Sequence, residues 1–254
     1  MRVGVGLIWY SVNKTHTEIQ KQCVEALLGS KTSHNTHVYV LVNRHIEGDF
    51  EWLARQNVDV MAPEEELSVA QGWNRMIKTS LQYHADYVLI MNSDIIVFPD
   101  TIDKLIEFAE ENPDMVAWGP SLNKPDKSFR HWPPFACFMV NQRTKDLVGL
   151  FDNGFQGAYT EDTSFKYKVF KLGFKMLRSM DIIVVHKGSY VLKNLDDKEL
   201  ADKIHANMKL NKQYFIKKHG IHPHEWRVKY NRIGMSAGGY DYPFDDLTKD
   251  WRNY

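Results

Sequence analysis

Asp94 is the residue of this chain best suited to chemistry, because it is a lone carboxylate between two apolar runs. The run before it, residues 88–91, holds no polar side chain and therefore predicts a strand buried on both faces. A carboxylate in that setting requires a cation or hydrogen-bond donors, since an unpaired buried charge is costly. Ligand or metal binding at the carboxyl end of a central parallel strand satisfies this requirement. A cap on the turn at Pro99 and Asp100 and on the helix after it satisfies the requirement equally well.

Glu161 and Asp162 form a second candidate group, at the predicted start of a helix. Thr160 or Glu161 can cap that helix, and the positive end of the helix dipole favours carboxylates in its first turn. A carboxylate held ionised in this way is also suited to act as a general base. The pair is therefore either a structural complement to the helix or the source of a catalytic base.

A cation and a flat ring, Arg130 and Trp132, stand beside two prolines just before a predicted strand. Such a group can stack on a sugar or pair with a phosphate, and it can equally be a solvated loop pinned by its prolines. Trp118 ends another predicted strand nearby and leaves the same two interpretations open.

The composition bounds the class of protein. With 254 residues, 43% of them hydrophobic, the chain can bury a core as one large domain or as one domain with an appendage. Its 32 basic and 32 acidic residues balance, so no bulk charge favours nucleic acid or an anionic membrane. Two cysteines build neither a disulfide framework nor a zinc site. The sequence shows no secretion signal and no apolar run near the ~20 residues of a membrane span, so we expect a soluble, cytoplasmic protein.

Apolar strands and amphipathic helices alternate in the first half of the chain. Strands are predicted at residues 3–10, 37–43, 58–62, 88–91 and 115–118, and helices at 18–28, 51–56, 68–83 and 101–111, the last capped by Asp100. This order predicts an α/β fold with a mostly parallel sheet and helices on both faces. The alternation breaks after residue 119. Later predictions are a strand of unassigned partner at 135–140, strand material at 175–185, and helices at 143–148, 161–172 and 198–218.

Taken in order, these motifs resemble the nucleotide-sugar glycosyltransferases of the GT-A fold, most of all those of family 2. The resemblance spans about the first 220 residues. The matching features are an opening strand and polar loop at 3–17, Gly72-Trp73-Asn74 before the central strand, Asn92-Ser93-Asp94 in place of an Asp-X-Asp motif, Gly149-Leu150-Phe151-Asp152 in place of a Gly-Phe-Asp signature, Glu161-Asp162 opening a helix, and His186 after the last sheet strand. Any one of these features is weak evidence, whereas all of them in sequence are fairly specific.

The resemblance implies the domain organisation and the activity. Residues 1–220 form the GT-A domain, with a nucleotide-sugar half at 1–119 and an acceptor half at 120–220. Residues 221–254 form a C-terminal extension that packs on this domain. The implied reaction moves a hexosyl or deoxyhexosyl group from a nucleoside diphosphate sugar to a hydroxyl of a glycan or other acceptor. The implied cofactor is a divalent metal, Mn²⁺ or Mg²⁺, bridging the two phosphates.

The resemblance also implies roles for the residues around the Asp-X-Asp position. Asp94 is the metal ligand, and His186 is a second contact to the metal or the diphosphate, although a buried histidine bonded to backbone is an equal alternative. Asn92 replaces the first aspartate of the motif. Its amide still offers a donor and an acceptor to a ribose. The lost negative charge makes modest metal affinity the expectation.

The remaining site residues follow from the same resemblance. The nucleotide contacts are Tyr10, Ser11, Val12, Asn43, Asn74, Asn92 and Ser93, although Asn43 also fits an ordinary strand-end turn. Asp162 is the implied general base of an inverting transfer, with Glu161 as its alternative. Trp118, Arg130 and Trp132 are the expected acceptor-side residues.

Two other functions remain open at this point. A sugar-phosphate nucleotidyltransferase shares a similar sheet, but it would want a glycine-rich phosphate loop after the first strand, and residues 10–17 contain no glycine. A non-catalytic sugar-binding domain of the same fold is the other alternative. The presence of Asp94, Asp162 and His186 argues against it.

Overall fold

A computed structural model describes residues 1–123, 133–187 and 197–226 of the chain. Its strands are β1 (Arg2–Tyr10), β2 (Asn35–Arg44), β3 (Asp59–Met61), β4 (Tyr87–Asn92), β5 (Ile95–Ile96), β6 (Trp118–Leu122), β7 (Cys137–Asn141) and β8 (Leu177–His186). Its helices are α1 (Lys14–Leu28), α2 (Asp49–Leu53), α3 (Val69–Gln82), α4 (Thr101–Glu111), α5 (Gln142–Leu147), α6 (Glu161–Lys171) and α7 (Lys198–His219). The strands form one sheet in the order β3-β2-β1-β4-β7-β6-β8-β5. The predicted α/β class is confirmed.

The first half of the sheet is parallel, as predicted. β1 lies between β2 and β4 and runs parallel to both, so the carboxyl ends of these three strands meet at one edge. The strand without an assigned partner, β7, is antiparallel to both of its neighbours, β4 and β6. The sheet is therefore mixed, and β7 begins beside the end of β4.

Strand β4 is buried on both faces, as its apolar sequence predicts. Leu89 and Met91 point into the core formed with α1, α2 and α4, and both side chains are fully buried. Val88 and Ile90 point into the opposite core, formed with α3 and α6, and they are also fully buried. Full burial of each such side chain contributes roughly 1.5–3 kcal/mol, which fixes the central strand firmly.

Helix α3 packs directly on β1 because two glycines leave room for it. A Cβ on Gly4 would lie 2.2 Å from Ser80 Oγ, and one on Gly6 would lie 2.7 Å from Met76 Sδ. At the start of the helix, the side chains of Ser68 and Gln71 each accept a hydrogen bond from the other residue's backbone N–H, at 3.3 and 2.8 Å. This double cap fixes where the loop before α3 ends.

Three predicted details are wrong. Helix α1 begins at Lys14 rather than at residue 18, because the Asn13 side chain caps it by accepting from His16 N at 3.0 Å. Asp100 makes no side-chain cap on α4 and pairs instead with Lys104 at 2.6 Å. The strand predicted at 115–118 lies at Trp118–Leu122, because its ladder with β8 begins at Trp118.

The described part of the predicted C-terminal extension ends at residue 226, and its tail from residue 234 lies outside the described residues. Trp226 is 2% exposed, and its ring centroid lies 5.5 Å from that of Tyr167 on α6. No helix within the described residues is long and apolar enough to cross a membrane.

Candidate active site

A cleft of about 340 Å³ lies at the carboxyl ends of β1, β2 and β4. In the sheet, β1 lies between β2 and β4, so Asn43 near the end of β2 and Asp94 after β4 lie at opposite ends of the cleft. Glu66 belongs to the Asn43 end, because Asn43 bonds to the next residue, Leu67, and His186 belongs to the Asp94 end. The remaining wall comes from the first half of α1, from the segment before α6 and from the first half of α7. The lining residues are Ile8, Tyr10, His16, Ile19, Gln20, Asn43, Glu66, Leu67, Val69, Asn92, Ser93, Asp94, Gly157, Ala158, Tyr159, His186, Leu200, Lys203, Ile204 and Asn207.

The structure brings Asp94 and His186 together, as the metal prediction requires. The short strand β5 pairs with the end of β8, and Lys187 N donates to the Asp94 carbonyl at 3.0 Å. This backbone pairing places His186 Nε2 3.3 Å from Asp94 Oδ2. Each side chain is 19% exposed and lines the cleft. The pair is therefore accessible to a ligand but largely shielded from water.

The donor set of this pair fits a divalent cation. A carboxylate oxygen and an imidazole nitrogen can both coordinate Mn²⁺. Cations of this kind usually keep several waters and phosphate oxygens as further ligands. Within the described part of the chain, no group of three His, Cys, Asp or Glu side chains is arranged to hold a metal ion. The pair thus fits a metal that is held jointly by protein, water and phosphate.

Two more predicted residues, Asn92 and Ser93, line the cleft beside Asp94. Asn92 N donates to the Ala136 carbonyl at 2.8 Å. This bond joins the end of β4 to the chain that enters β7. The segment from Asn92 to Asp94 is therefore anchored by backbone bonds at both of its ends.

The opening loop is placed only partly as predicted. Tyr10 lines the cleft, and its backbone N–H donates to Gln20 Oε1 at 2.7 Å. Burial raises the pKa of the Tyr10 hydroxyl. Ser11 is fully buried, and its hydroxyl accepts from Thr17 Oγ1 at 3.0 Å and from Gln20 Nε2 at 2.7 Å. Neither Ser11 nor Val12 lines the cleft, so these two residues shape the loop beneath it.

The two predicted asparagines support loops. Asn43 lines the cleft, but its Nδ2 donates to the Leu67 carbonyl at 2.8 Å and its Oδ1 accepts from Leu67 N at 3.1 Å. Asn74 lies outside the cleft. Its Nδ2 donates to the Phe151 carbonyl at 2.8 Å and to Asn153 Oδ1 at 2.7 Å, and its Oδ1 accepts from Phe151 N at 2.9 Å. Both amides are thus committed to holding the backbone of neighbouring segments.

The segment before α6 is held in an unusual backbone shape by Asn211 of α7. Tyr159 and Thr160 have φ values of 76° and 81°, which side chains rarely adopt and which cost of order 1–3 kcal/mol each. Asn211 is 1% exposed and compensates with four hydrogen bonds. Its Nδ2 donates to the carbonyls of Gln156, Ala158 and Tyr159 at 2.8, 3.1 and 2.9 Å, and its Oδ1 accepts from Gln156 N at 2.8 Å. We call residues 156–160 the strained loop.

Glu161 follows the strained loop and is almost completely buried, at 6% exposure. Burial, reinforced by the charge of Asp162, raises the pKa of the Glu161 carboxyl to about 8. Its Oε2 has no hydrogen-bond partner among the described residues. Glu161 is therefore mostly protonated at neutral pH.

Asp162 has a different environment. Its Oδ2 lies 2.7 Å from Lys166 Nζ, and its Oδ1 accepts from Thr163 N at 2.6 Å. The Lys166 ammonium lies 4.9 Å from the centroid of the Phe135 ring, at the entrance to β7. Because the residue after Phe135 bonds to Asn92 N, Asp162 lies at the same edge of the sheet as the metal pair. Neither Asp162 nor Glu161 lines the cleft itself.

The prediction for Trp118 is corrected by the structure. Trp118 is 1% exposed, and its indole N–H donates to the Asn112 carbonyl at 3.1 Å. Its ring packs edge-on against Tyr87. A side chain so enclosed belongs to the core and cannot contact an acceptor. Arg130 and Trp132 lie outside the described residues.

Helix α7 contributes residues to the cleft that no sequence motif indicated. Leu200, Lys203, Ile204 and Asn207 line the cleft. Together with Asn211, they recur at intervals of three and four residues, which places them on one face of a helix. The sequence therefore contained a signal for this lining face, namely the spacing of these residues, but the polar composition of the helix made the face hard to recognise. Lys203 adds a cation to the cleft that holds Asp94 and His186.

Comparison with solved structures shows what the fold is similar to. The chain matches S. aureus TarS residues 1–349 with a TM-score of 0.55 and 14% identity, over 87% of this chain and 74% of that chain. It matches the mannosyltransferase PcManGT from Pyrobaculum calidifontis, solved with GDP-Man and Mn²⁺, with a TM-score of 0.59 and 12% identity, over 96% and 76%. TarS 1–349 in complex with UDP-GlcNAc gives a TM-score of 0.57 and 12% identity, over 85% and 67%.

These likenesses define a class: the chain has the GT-A fold of nucleotide-sugar glycosyltransferases. At such low identity they establish the fold alone. The sequence matches no protein-family profile and no curated protein.

Proposed function

We propose that this protein is a metal-dependent glycosyltransferase. It moves a sugar from a nucleoside diphosphate sugar to a hydroxyl group of a glycan or another acceptor. The observation that carries the proposal is the Asp94–His186 pair, 3.3 Å apart, in a cleft at the carboxyl edge of a GT-A sheet. Solved structures of the same fold bind GDP-Man with Mn²⁺ and UDP-GlcNAc, which supports a donor of this kind.

Asp94 and His186 would hold the divalent metal, Mn²⁺ or Mg²⁺, at the diphosphate end of the cleft. When bound, such an ion supplies Lewis-acid stabilisation of the charge that grows on the leaving diphosphate. Lys203 lines the same cleft and adds a positive charge to it. Asn92 stands beside Asp94, where its amide can bond a ribose hydroxyl.

The described geometry favours Asp162 over Glu161 as the base. Glu161 is buried with its pKa raised to about 8, so at neutral pH it mostly carries a proton already. Asp162 is a quarter exposed, and its Oδ2 lies 2.7 Å from the Lys166 ammonium, which is a favourable partner for a carboxylate. When two neighbouring carboxyl groups have such different environments, one can stay protonated while the other acts as the base. Here Glu161 is the protonated group and Asp162 is the proposed base.

The position of Asp162 suits an acceptor that enters from the β7 side. Lys166 connects this carboxylate to Phe135, and the next residue along the chain bonds to Asn92. An acceptor hydroxyl placed there would approach the sugar from the side opposite the diphosphate. Attack from that side inverts the anomeric centre, so we propose an inverting transfer.

A thermal-shift screen tests the proposed function. Nucleoside diphosphates should raise the melting temperature, and Mn²⁺ should enlarge the shift, because a ligand that binds only the native state stabilises it. Asp94→Ala should keep the baseline melting temperature and lose the part that depends on Mn²⁺. The absence of any shift with all common nucleoside diphosphates would contradict the proposal.

A further inference from the structure

We propose that the donor nucleotide is guanosine diphosphate and that Glu66 recognises its base. This inference rests on the proposed function and adds the identity of the nucleotide. It starts from the location of a carboxylate at the end of the cleft remote from Asp94 and His186.

The arrangement of the cleft assigns its two ends. The Asp94–His186 pair suits the diphosphate, so the base must extend towards Tyr10, Asn43 and Glu66 at the other end. Both atoms of the Asn43 amide are bonded to Leu67, at 2.8 and 3.1 Å. Those bonds fix the residue that follows Glu66.

Three polar groups meet at this end. Arg44 lies 5.9 Å from the centroid of the Tyr10 ring. Burial raises the pKa of the Tyr10 hydroxyl most, while the nearby Arg44 lowers it and the nearby Glu66 raises it. Glu66 is the third glutamate of an acidic run, and it alone of Glu64, Glu65 and Glu66 lines the cleft. This end of the cleft therefore carries the Glu66 carboxylate, whereas Arg44 lies beside Tyr10 and does not line the cleft.

Guanine is the base that best complements the Glu66 carboxylate. Its N1–H and its amino group are adjacent donors, which a carboxylate accepts as two parallel hydrogen bonds. Uracil offers one N–H between two carbonyl oxygens, and adenine and cytosine place a ring acceptor beside the amino group. Each of those bases would set an acceptor against the Glu66 carboxylate.

Calorimetry with Mn²⁺ present tests the inference, using GDP, UDP and inosine diphosphate, which is GDP without the amino group. Hydrogen bonds to charged groups are strong enough that GDP should bind about tenfold to a hundredfold more tightly than inosine diphosphate or UDP. Glu66→Gln places an amide donor against guanine and should abolish the difference between GDP and inosine diphosphate. Glu65→Gln is the matched control and should keep it.

The outcomes separate the inference from the function on which it rests. Equal or tighter binding of UDP would overturn the guanine assignment while leaving the glycosyltransferase proposal intact. A preference for GDP that survives in Glu66→Gln would overturn the role of Glu66. Failure of every nucleoside diphosphate to bind would remove the proposed function itself.

Discussion

At the scale of single residues, the proposed metal site depends on one carboxylate. Within the segment from Asn92 to Asp94, only Asp94 carries a negative charge. The GT-A enzymes that the sequence resembles have an aspartate where this chain has Asn92. The protein therefore has less charge with which to hold a cation before the diphosphate arrives, and we expect metal and nucleotide to bind cooperatively.

Asp94→Ala should abolish metal-dependent binding of a nucleoside diphosphate without unfolding the protein. Asp94 is 19% exposed and outside the cores, so its loss costs little packing. Calorimetry with and without Mn²⁺ measures the effect, and unchanged Mn²⁺-dependent affinity would refute the assignment. Asn92→Asp is the companion variant, and it should tighten metal binding unless Asn92 contacts the ribose alone.

Asp162→Asn should slow turnover by about 10²–10⁴-fold, the usual contribution of general-base assistance. Asparagine keeps the shape of the side chain but cannot take the proton of the acceptor hydroxyl. Donor affinity should barely change, because the base meets the acceptor and not the nucleotide. Steady-state kinetics and donor titration measure the two effects separately. Near-normal turnover would move the role to another carboxylate, and a product of retained configuration would exclude the inverting mechanism.

Glu161→Gln should change how stability depends on pH. The pKa of Glu161 is raised from 4.5 to about 8 in the folded protein, so its neutral form stabilises the fold fully below pH 4.5. This contribution is lost as the pH rises through about 8, at ~1.4 kcal/mol per unit of pKa difference. Glutamine stays neutral throughout. Urea unfolding at about pH 5 and about pH 9 should therefore show that the free energy of unfolding of the variant increases relative to that of the wild type as the pH rises. A constant difference between the two proteins would show that Glu161 does not titrate in this window.

The meeting of Asp94 and His186 was implied by the resemblance to the GT-A family, since both residues match motifs of that family. Prediction from the sequence failed at Trp118, since a tryptophan at a strand end looks the same whether the ring faces a core or a ligand. The burial of Glu161 also had no signal of its own, because neighbouring acidic residues at a helix start have the same pattern whether buried or exposed. Packing between distant segments decides each of these cases.

At the scale of secondary-structure elements, α7 has two roles, since it walls the cleft and holds the strained loop. The hydrogen bonds of Asn211 bind α7 to the loop that leads into α6. Gly157 allows the close approach of the two elements, because a Cβ there would lie 2.7 Å from Asn207 Nδ2. The position of Asp162, which follows this loop, thus depends on a helix about fifty residues later in the chain.

Asn211→Asp should release the strained loop. The new oxygen would face carbonyls that now accept from Asn211 Nδ2, and each buried group left unpaired costs about 1–3 kcal/mol. Donor affinity and turnover should both fall, while far-UV circular dichroism keeps the signal of the sheet. Asn112→Asp is the control, since Asn112 caps the remote end of α4 by donating to the Phe108 carbonyl at 2.8 Å. Equal losses of activity in both variants would show a general effect of the charge.

Most elements could be predicted, because their apolar periodicity is local. The direction of β7 could not, since a buried strand has the same sequence pattern whether it runs parallel or antiparallel to its neighbour. The start of α1 was missed because the cap at Asn13 lies inside a polar stretch that resembled a loop.

At the scale of the whole molecule, the cleft joins residues from both ends of the described chain, from Ile8 to Asn207. The ends of the sheet strands form one part of its wall, and α7 forms another. We therefore expect ligand binding to stabilise α7 in particular, because the first half of this helix lines the cleft.

Hydrogen exchange should test this expectation. A bound nucleoside diphosphate with Mn²⁺ should slow amide exchange in the first half of α7 and in residues 156–160, because these segments form the wall of the cleft. Amides of residues 87–91 in β4 should change little, since these residues are already buried. Protection confined to the sheet edge would show that α7 takes no part in holding the nucleotide.

The bonds between Asn211 and the strained loop have a consequence for the order in which a newly made chain becomes active. The parallel half of the sheet is complete in sequence by Asn92, long before Asn211 is synthesised. Until that side chain emerges from the ribosome, the carbonyls of Gln156, Ala158 and Tyr159 lack the donor that Asn211 supplies. A nascent chain can thus acquire its core early, but Asp162 and the loop before it reach their final positions only after α7 has been made and has docked.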